Sequence, residues 1–190
     1  MTNDDPPIWP PYEICYLVSM RFLTESALRS INAVSSEIER TQGDFSDGNQ
    51  DETLNHLQNI VGMGAALSRY FWPSRSVHEG RGKLLRQRFK ITEASSLRMR
   101  ELRNAIEHFD ERLDAYLSKG IAGVIIPHYI GCSLKSDGIP GHLFRAYYVD
   151  TGEFEVLGQR FHIPPLVEEI KRINQLLHYS EKTGGRLPQD

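Results

Sequence analysis

Residues 95–120, SSLRMRELRNAIEHFDERLDAYLSKG, decide how the fold is read. At about 100° per residue, Leu102, Ile106, Phe109, Leu113 and Leu117 fall within an arc of about 80°, a narrow apolar stripe of the kind that faces a core. Charged residues cover the other side. Ser95 and Ser96 stand where hydroxyl side chains cap the orphan amides of a helix start. Lys119-Gly120 supplies a cation and then a glycine where a helix stops. The pattern predicts one helix over residues 95–118. On its wheel Arg103 lies about 100° from Leu102, Asn104 about 200° and His108 about 240°. Asn104 and His108, four apart, share a face, whereas Arg103 and His108 stand about 140° apart.

The charge around this helix is uneven. The 190-residue chain carries a net charge of −3, yet residues 1–68 hold 3 basic against 10 acidic side chains, and residues 69–103 hold 10 basic against 3 acidic. A positive segment that runs into an Arg-Asn-His helix is the electrostatic footprint of a polyanion partner. Within it Arg81, Lys83, Arg86, Arg88 and Arg100 are the candidate RNA-binding residues. The competing reading is a solvated helix face whose cations pair with the acidic first helix.

The remaining chain reads as one domain over residues 1–190, large enough to bury a core without staples. Residues 12–40 lack proline and glycine and place Ile14, Leu17, Val18, Phe22, Leu28, Ile31, Val34 and Ile38 at helical spacing. Gly43 to Asn49 is a polar breaker, and a second helix follows over about 51–71, ended by Trp72-Pro73. Gly62-Met63-Gly64-Ala65-Ala66 follows no strand, so its small residues serve close helix approach rather than a nucleotide loop. Arg81 to Lys90 reads as a shorter helix, either separate from the motif helix or joined to it with a break near Thr92. Residues 1–120 thus form a helical body. Residues 121–163, with Val124–Ile130, Leu143–Val149 and Glu153–Val156 around the Asp150-Thr151-Gly152 turn, read as a small antiparallel β element. Pro164-Pro165 opens a closing helix over 164–182, and 183–190 reads as a loose tail. The expected fold class is mainly α, a helical bundle with the β element set between the motif helix and the C-terminal helix.

Cys15 and Cys132 stand far apart and in no C-x-x-C arrangement, which argues against a disulfide framework and for a reducing cytoplasm. The start, Met1 to Pro7, is acidic and proline-bearing, unlike a secretory signal. No run approaches the ~18 apolar residues of a membrane span. The histidines follow neither H-x-H nor H-E-x-x-H spacing, so neither metal nor cofactor is expected.

Arg103-Asn104-Ala105-Ile106-Glu107-His108 and its continuation Phe109-Asp110-Glu111-Arg112-Leu113-Asp114 resemble the signature of the HEPN superfamily: an arginine, usually a polar residue next, and a histidine four to six positions after the arginine. The resemblance implies an HEPN-like helical bundle over the motif helix and the helices before it, and does not extend past about residue 120. It implies a homodimer whose two motifs meet in a cleft at a two-fold axis, and a place in toxin–antitoxin or phage-defence systems with a cognate antitoxin or nucleotidyltransferase as partner. Toxins paired with a nucleotidyltransferase often carry tyrosine two positions after the histidine. Here that residue is Asp110, so regulation through such a tyrosine is not implied.

Metal-independent cleavage of RNA needs a base for the 2′-hydroxyl, a cation at the phosphorane and an acid for the leaving 5′-oxygen. His108 suits proton transfer, because histidine titrates near neutrality. Arg103 offers a forked donor for phosphate oxygens and transition-state charge, and Asn104 would orient His108 or hold ribose or phosphate. The products would be a 2′,3′-cyclic phosphate and a 5′-hydroxyl. Two functions therefore fit the sequence: a metal-independent endoribonuclease, or a non-catalytic HEPN-like module that binds RNA, a nucleotide or a protein through the same cleft.

Overall fold

The computed structural model describes residues 7–45, 48–134 and 141–189. The Met1 to Pro7 start read above lies almost wholly outside the described residues, as do residues 46 and 47 of the polar breaker, residues 135–140 of the β element and Asp190. The helices are α1 (Glu13–Thr41), α2 (Gln50–Phe71), α3 (Glu79–Arg88), α4 (Arg100–Glu107), α5 (Phe109–Leu117) and α6 (Pro164–Lys182), and the strands are β1 (Val124–Gly131), β2 (Gly141–Tyr148), β3 (Glu153–Val156) and β4 (Gln159–His162). The molecule is mainly helical with one small four-stranded sheet.

α1, α2 and α6 carry the core. Asn49 caps α2, its Oδ1 accepting from the Glu52 amide at 3.1 Å while its Nδ2 donates to the Glu52 carboxylate at 2.8 Å. Leu17 and Met20 of α1, Leu54, Leu57 and Ile60 of α2, and Ile170, Ile173 and Leu177 of α6 are essentially inaccessible, each worth roughly 1.5–3 kcal/mol of burial. Gly64 lets α6 approach α2, since a Cβ there would stand 3.1 Å from Leu166 Cδ1. Asn174 donates to Thr24 Oγ1 at 2.9 Å between α6 and α1, so this polar pair enters the core satisfied. The sheet docks on the same core through Ile130, Phe154 and Val156.

The structure departs from the sequence reading in four places. The 95–118 helix is not continuous. Residues 96–98 form a 3-10 turn, and the chain bends at His108 (φ −115°, ψ 39°) so that α4 and α5 are separate helices. Second, β1 and β2 pair in parallel, with Ile126 opposite Leu143 and Gly131 opposite Tyr148, while β2–β3 and β3–β4 are antiparallel. The sheet is therefore mixed. The expected antiparallel arrangement holds for β2–β3, across the Asp150-Thr151-Gly152 turn, whereas the parallel β1–β2 pair packs Ile126 and Tyr129 against Leu143, Ala146 and Tyr148 while Ile130 enters the helical core. Third, Ile14, Val18 and Phe22 of the α1 stripe are 39%, 46% and 67% exposed, because α2 and α6 cover only the face that carries Leu17, Met20, Ala27, Ile31 and Val34. Fourth, the tail is tied down: Leu187 is buried, its amide donates to Glu13 Oε2 at 2.9 Å, and Arg186 Nε pairs with the same oxygen at 2.8 Å. Among the described residues, no helix is long and apolar enough to cross a membrane.

Candidate functional site

Leu102 and Ala105, both fully buried, pin α4 to the core and turn Arg103 and Asn104 outward. The segment that leads into α4 is tied to α6. Ser96 Oγ donates to the Pro165 carbonyl at 2.8 Å, Ser95 Oγ to Glu169 Oε1 at 3.2 Å, and Arg172 Nη1 to the Phe89 carbonyl at 2.9 Å. Ser95 also caps the 3-10 turn, accepting weakly from the Leu97 amide at 3.4 Å. The Arg172 hydrogen bond holds the Glu169 carboxyl below its usual range, against the opposing effect of burial.

Between this segment and the C-terminal half of α2 lies a cleft of about 460 Å³, floored by Gly64, Ala65 and Leu166 and rimmed by Arg69, Arg98, Arg100, Arg103 and Asn104. Arg103 donates through Nε and Nη2 to Asn104 Oδ1 at 3.4 and 3.2 Å, which splays its guanidinium along the rim. Glu107 bridges two of the arginines, with Oε1 3.3 Å from Arg69 Nη2 and Oε2 3.5 Å from Arg103 Nε. Arg98 pairs with Glu93 and stands 5.7 Å from the centre of the Trp72 ring, as does Arg86. Three of the four rim arginines pair with the carboxylates of Glu93 and Glu107, which leaves the hollow with an excess of positive charge.

His108 is elsewhere. It does not line the cleft, its side chain is 57% exposed, and its Nδ1 stands 3.8 Å from Glu111 Oε2. No proline or glycine sits at the bend, so the common local causes of a kink do not apply. The sheet holds α5 instead. The Arg145 guanidinium covers the Phe109 ring at 3.6 Å, Arg112 donates to Gln159 at 2.6 Å, and Tyr116 Oη hydrogen-bonds His142 Nδ1 at 2.7 Å. α5 has no buried residue, and Leu117 of the expected core stripe is 41% exposed.

Of the three expected catalytic residues the structure therefore gathers Arg103 and Asn104 and separates His108 from their cleft. Among the expected RNA-binding residues only Arg100 is on the rim. Arg86 is largely covered and donates to the Phe71 carbonyl, a structural role. Arg81 donates to the Arg69 carbonyl at 3.1 Å, and Lys83 pairs with Glu79 at 3.1 Å. Arg88 is partly buried on α3 and does not line the cleft. Arg69 and Arg98 were not singled out by sequence. Both belong to the basic 69–103 segment, but only the packing of α2 beside the 3-10 turn that precedes α4 reveals their convergence. Among the described residues no group of three or more His, Cys, Asp or Glu could hold a metal ion, and Cys15 and Cys132 are free thiols. No family model, curated protein or solved structure matches the chain.

Proposed function

We propose that this chain binds RNA by its phosphate backbone in the arginine-rimmed cleft, as a HEPN-like module that is non-catalytic within a single protomer. The observation that carries the reading is the convergence of Arg69, Arg98, Arg100 and Arg103 on one hollow, with Glu107 already standing as an anion between Arg69 and Arg103. Phosphate is the ligand chemistry that matches forked guanidinium donors; the choice of RNA comes from the resemblance of residues 103–108 to the HEPN motif. The test is anisotropy of a labelled oligoribonucleotide titrated across salt concentrations. Arg69→Ala and Arg103→Ala should each weaken binding and reduce the salt slope by about one unit. Unchanged affinity and slope in both would defeat the proposal.

A second reading keeps the metal-independent endoribonuclease. It is favoured by the exposure of His108 at the bend, where its ring can be presented to the cleft of a second copy in a homodimer. Arg103 and Asn104 would then hold the scissile phosphate while His108 of the other copy transfers the proton. Incubation with labelled total RNA in EDTA, run beside sedimentation at micromolar concentration, tests it. EDTA-resistant cleavage together with a species of twice 21.7 kDa is the expected result. The absence of both leaves the binding module.

A further inference from the structure

Arg69 belongs to two hollows. On one side it rims the arginine cleft, and on the other it lines a groove of about 550 Å³ between α1, the end of α2 and α3, walled by Tyr12, Tyr16 and Tyr70 and closed by Arg81. That volume lies within the ~300–1,000 Å³ of small-ligand sites. The groove wall is built rather than incidental. The Tyr16 and Tyr70 rings meet edge to face with centroids 6.3 Å apart, Arg81 lies 6.0 Å from the centre of Tyr70, and its Nη2 is fixed on the Arg69 carbonyl. Tyr12 is 57% exposed.

We propose that this groove is a nucleobase subsite for a single-stranded RNA whose phosphate occupies the adjoining arginine cleft, a proposal that rests on the phosphate-binding reading above. A strand crossing the ridge of α2 would keep a phosphate on Arg69 and lay the next base against the tyrosines. Bases of any identity stack on aromatic rings, and Arg81 adds a positive charge beside them, the combination used for sequence-tolerant single-strand binding. The groove is distinct from the exposed row of Ile14, Val18 and Phe22: at 100° per residue its α1 residues lie about 110° further round the helix.

The experiment compares the full chain's affinity for an oligoribonucleotide and for an abasic ribose-phosphate oligomer of equal length and charge, with alkylation of Cys15 by iodoacetamide as a local readout. Cys15 lines the groove and is exposed, whereas Cys132, also exposed, lies beyond the sheet strand β1 and serves as an internal control. The base-bearing oligomer should bind at least about five-fold more tightly, and it alone should slow Cys15 alkylation while Cys132 reacts unchanged. Tyr12→Ala should close the gap between the two oligomers and Tyr12→Phe should keep it open. Equal binding of both oligomers with unprotected Cys15 overturns the subsite and leaves the phosphate cleft standing. Failure of both to bind defeats the cleft and the subsite together. Cys15 protected before RNA is added, or a Tyr12→Ala chain with altered sedimentation, assigns the groove to a protein contact and also overturns the proposal.

Discussion

α4 and α5 lie end to end in one amphipathic stretch of sequence, yet the structure treats them differently. α4 sinks Leu102 and Ala105 completely into the core and so fixes Arg103 and Asn104 at the cleft. α5 has no fully buried residue: Phe109 packs half-buried against the edge of the core, and the rest of the helix leans on the sheet through the Arg145 guanidinium over Phe109 and polar contacts of Arg112 and Tyr116. Equal periodicity thus gives unequal anchoring, because an apolar stripe stabilises a helix only to the extent that another element covers it. Arg103 and Asn104 stand on the anchored helix, and His108 stands at the joint between the two.

The sharpest way to break this contrast is stability. Leu102→Ala should cost about 2–5 kcal/mol in chemical denaturation, whereas Leu117→Ala, on the exposed end of the same stripe, should stay within about 0.5 kcal/mol. Similar losses would show that α5 is buried in solution. Next in size is His108→Ala. Any EDTA-resistant cleavage should fall at least ~10²-fold while RNA affinity and folding persist; a parallel loss of affinity would place His108 in the cleft and erase the division of labour.

Tyr116→Phe deletes the hydrogen bond to His142 and should cost about 1 kcal/mol, visible as faster amide exchange in α5 with α4 unchanged. Acceleration in both helices would mean that they open as one unit. Glu107→Gln removes the carboxylate that bridges Arg69 and Arg103, so RNA should bind more tightly, by up to about five-fold at low salt and less as salt rises. Weaker binding would make Glu107 a positioning group for the arginines.

The smallest effect concerns pH. Glu169 has its pKa lowered by Arg172, and its link to Ser95 supports the segment leading into α4. A depressed carboxylate contributes stability above its ordinary value of 4.5, and that contribution is lost as pH falls from there through the folded value. Glu169→Gln should therefore flatten the acid limb of the stability curve below pH 4.5, with little change in its slope near neutrality. An acid limb identical to that of the parent chain would remove Glu169 from this role.

The sequence by itself determined the long elements and the charge. α1, α2 and α6 carry enough apolar residues at helical spacing, with Asn49 and Pro164 at their starts, for local propensity and burial to agree. It also located the arginine-rich segment and three of the cleft residues, Arg100, Arg103 and Asn104, since clustering along the chain survives folding. Tertiary structure alone decided the bend at His108, where nothing local breaks the helix and the pull comes from Arg145, His142 and Gln159, all on strands distant in sequence. It decided the parallel register of β1 with β2, in which Ile126 and Tyr129 pack on β2 and Ile130 enters the helical core. It decided as well that Arg69 and Arg98 face one hollow, because periodicity states which side of a helix a residue occupies and only the neighbouring helix states what that side meets.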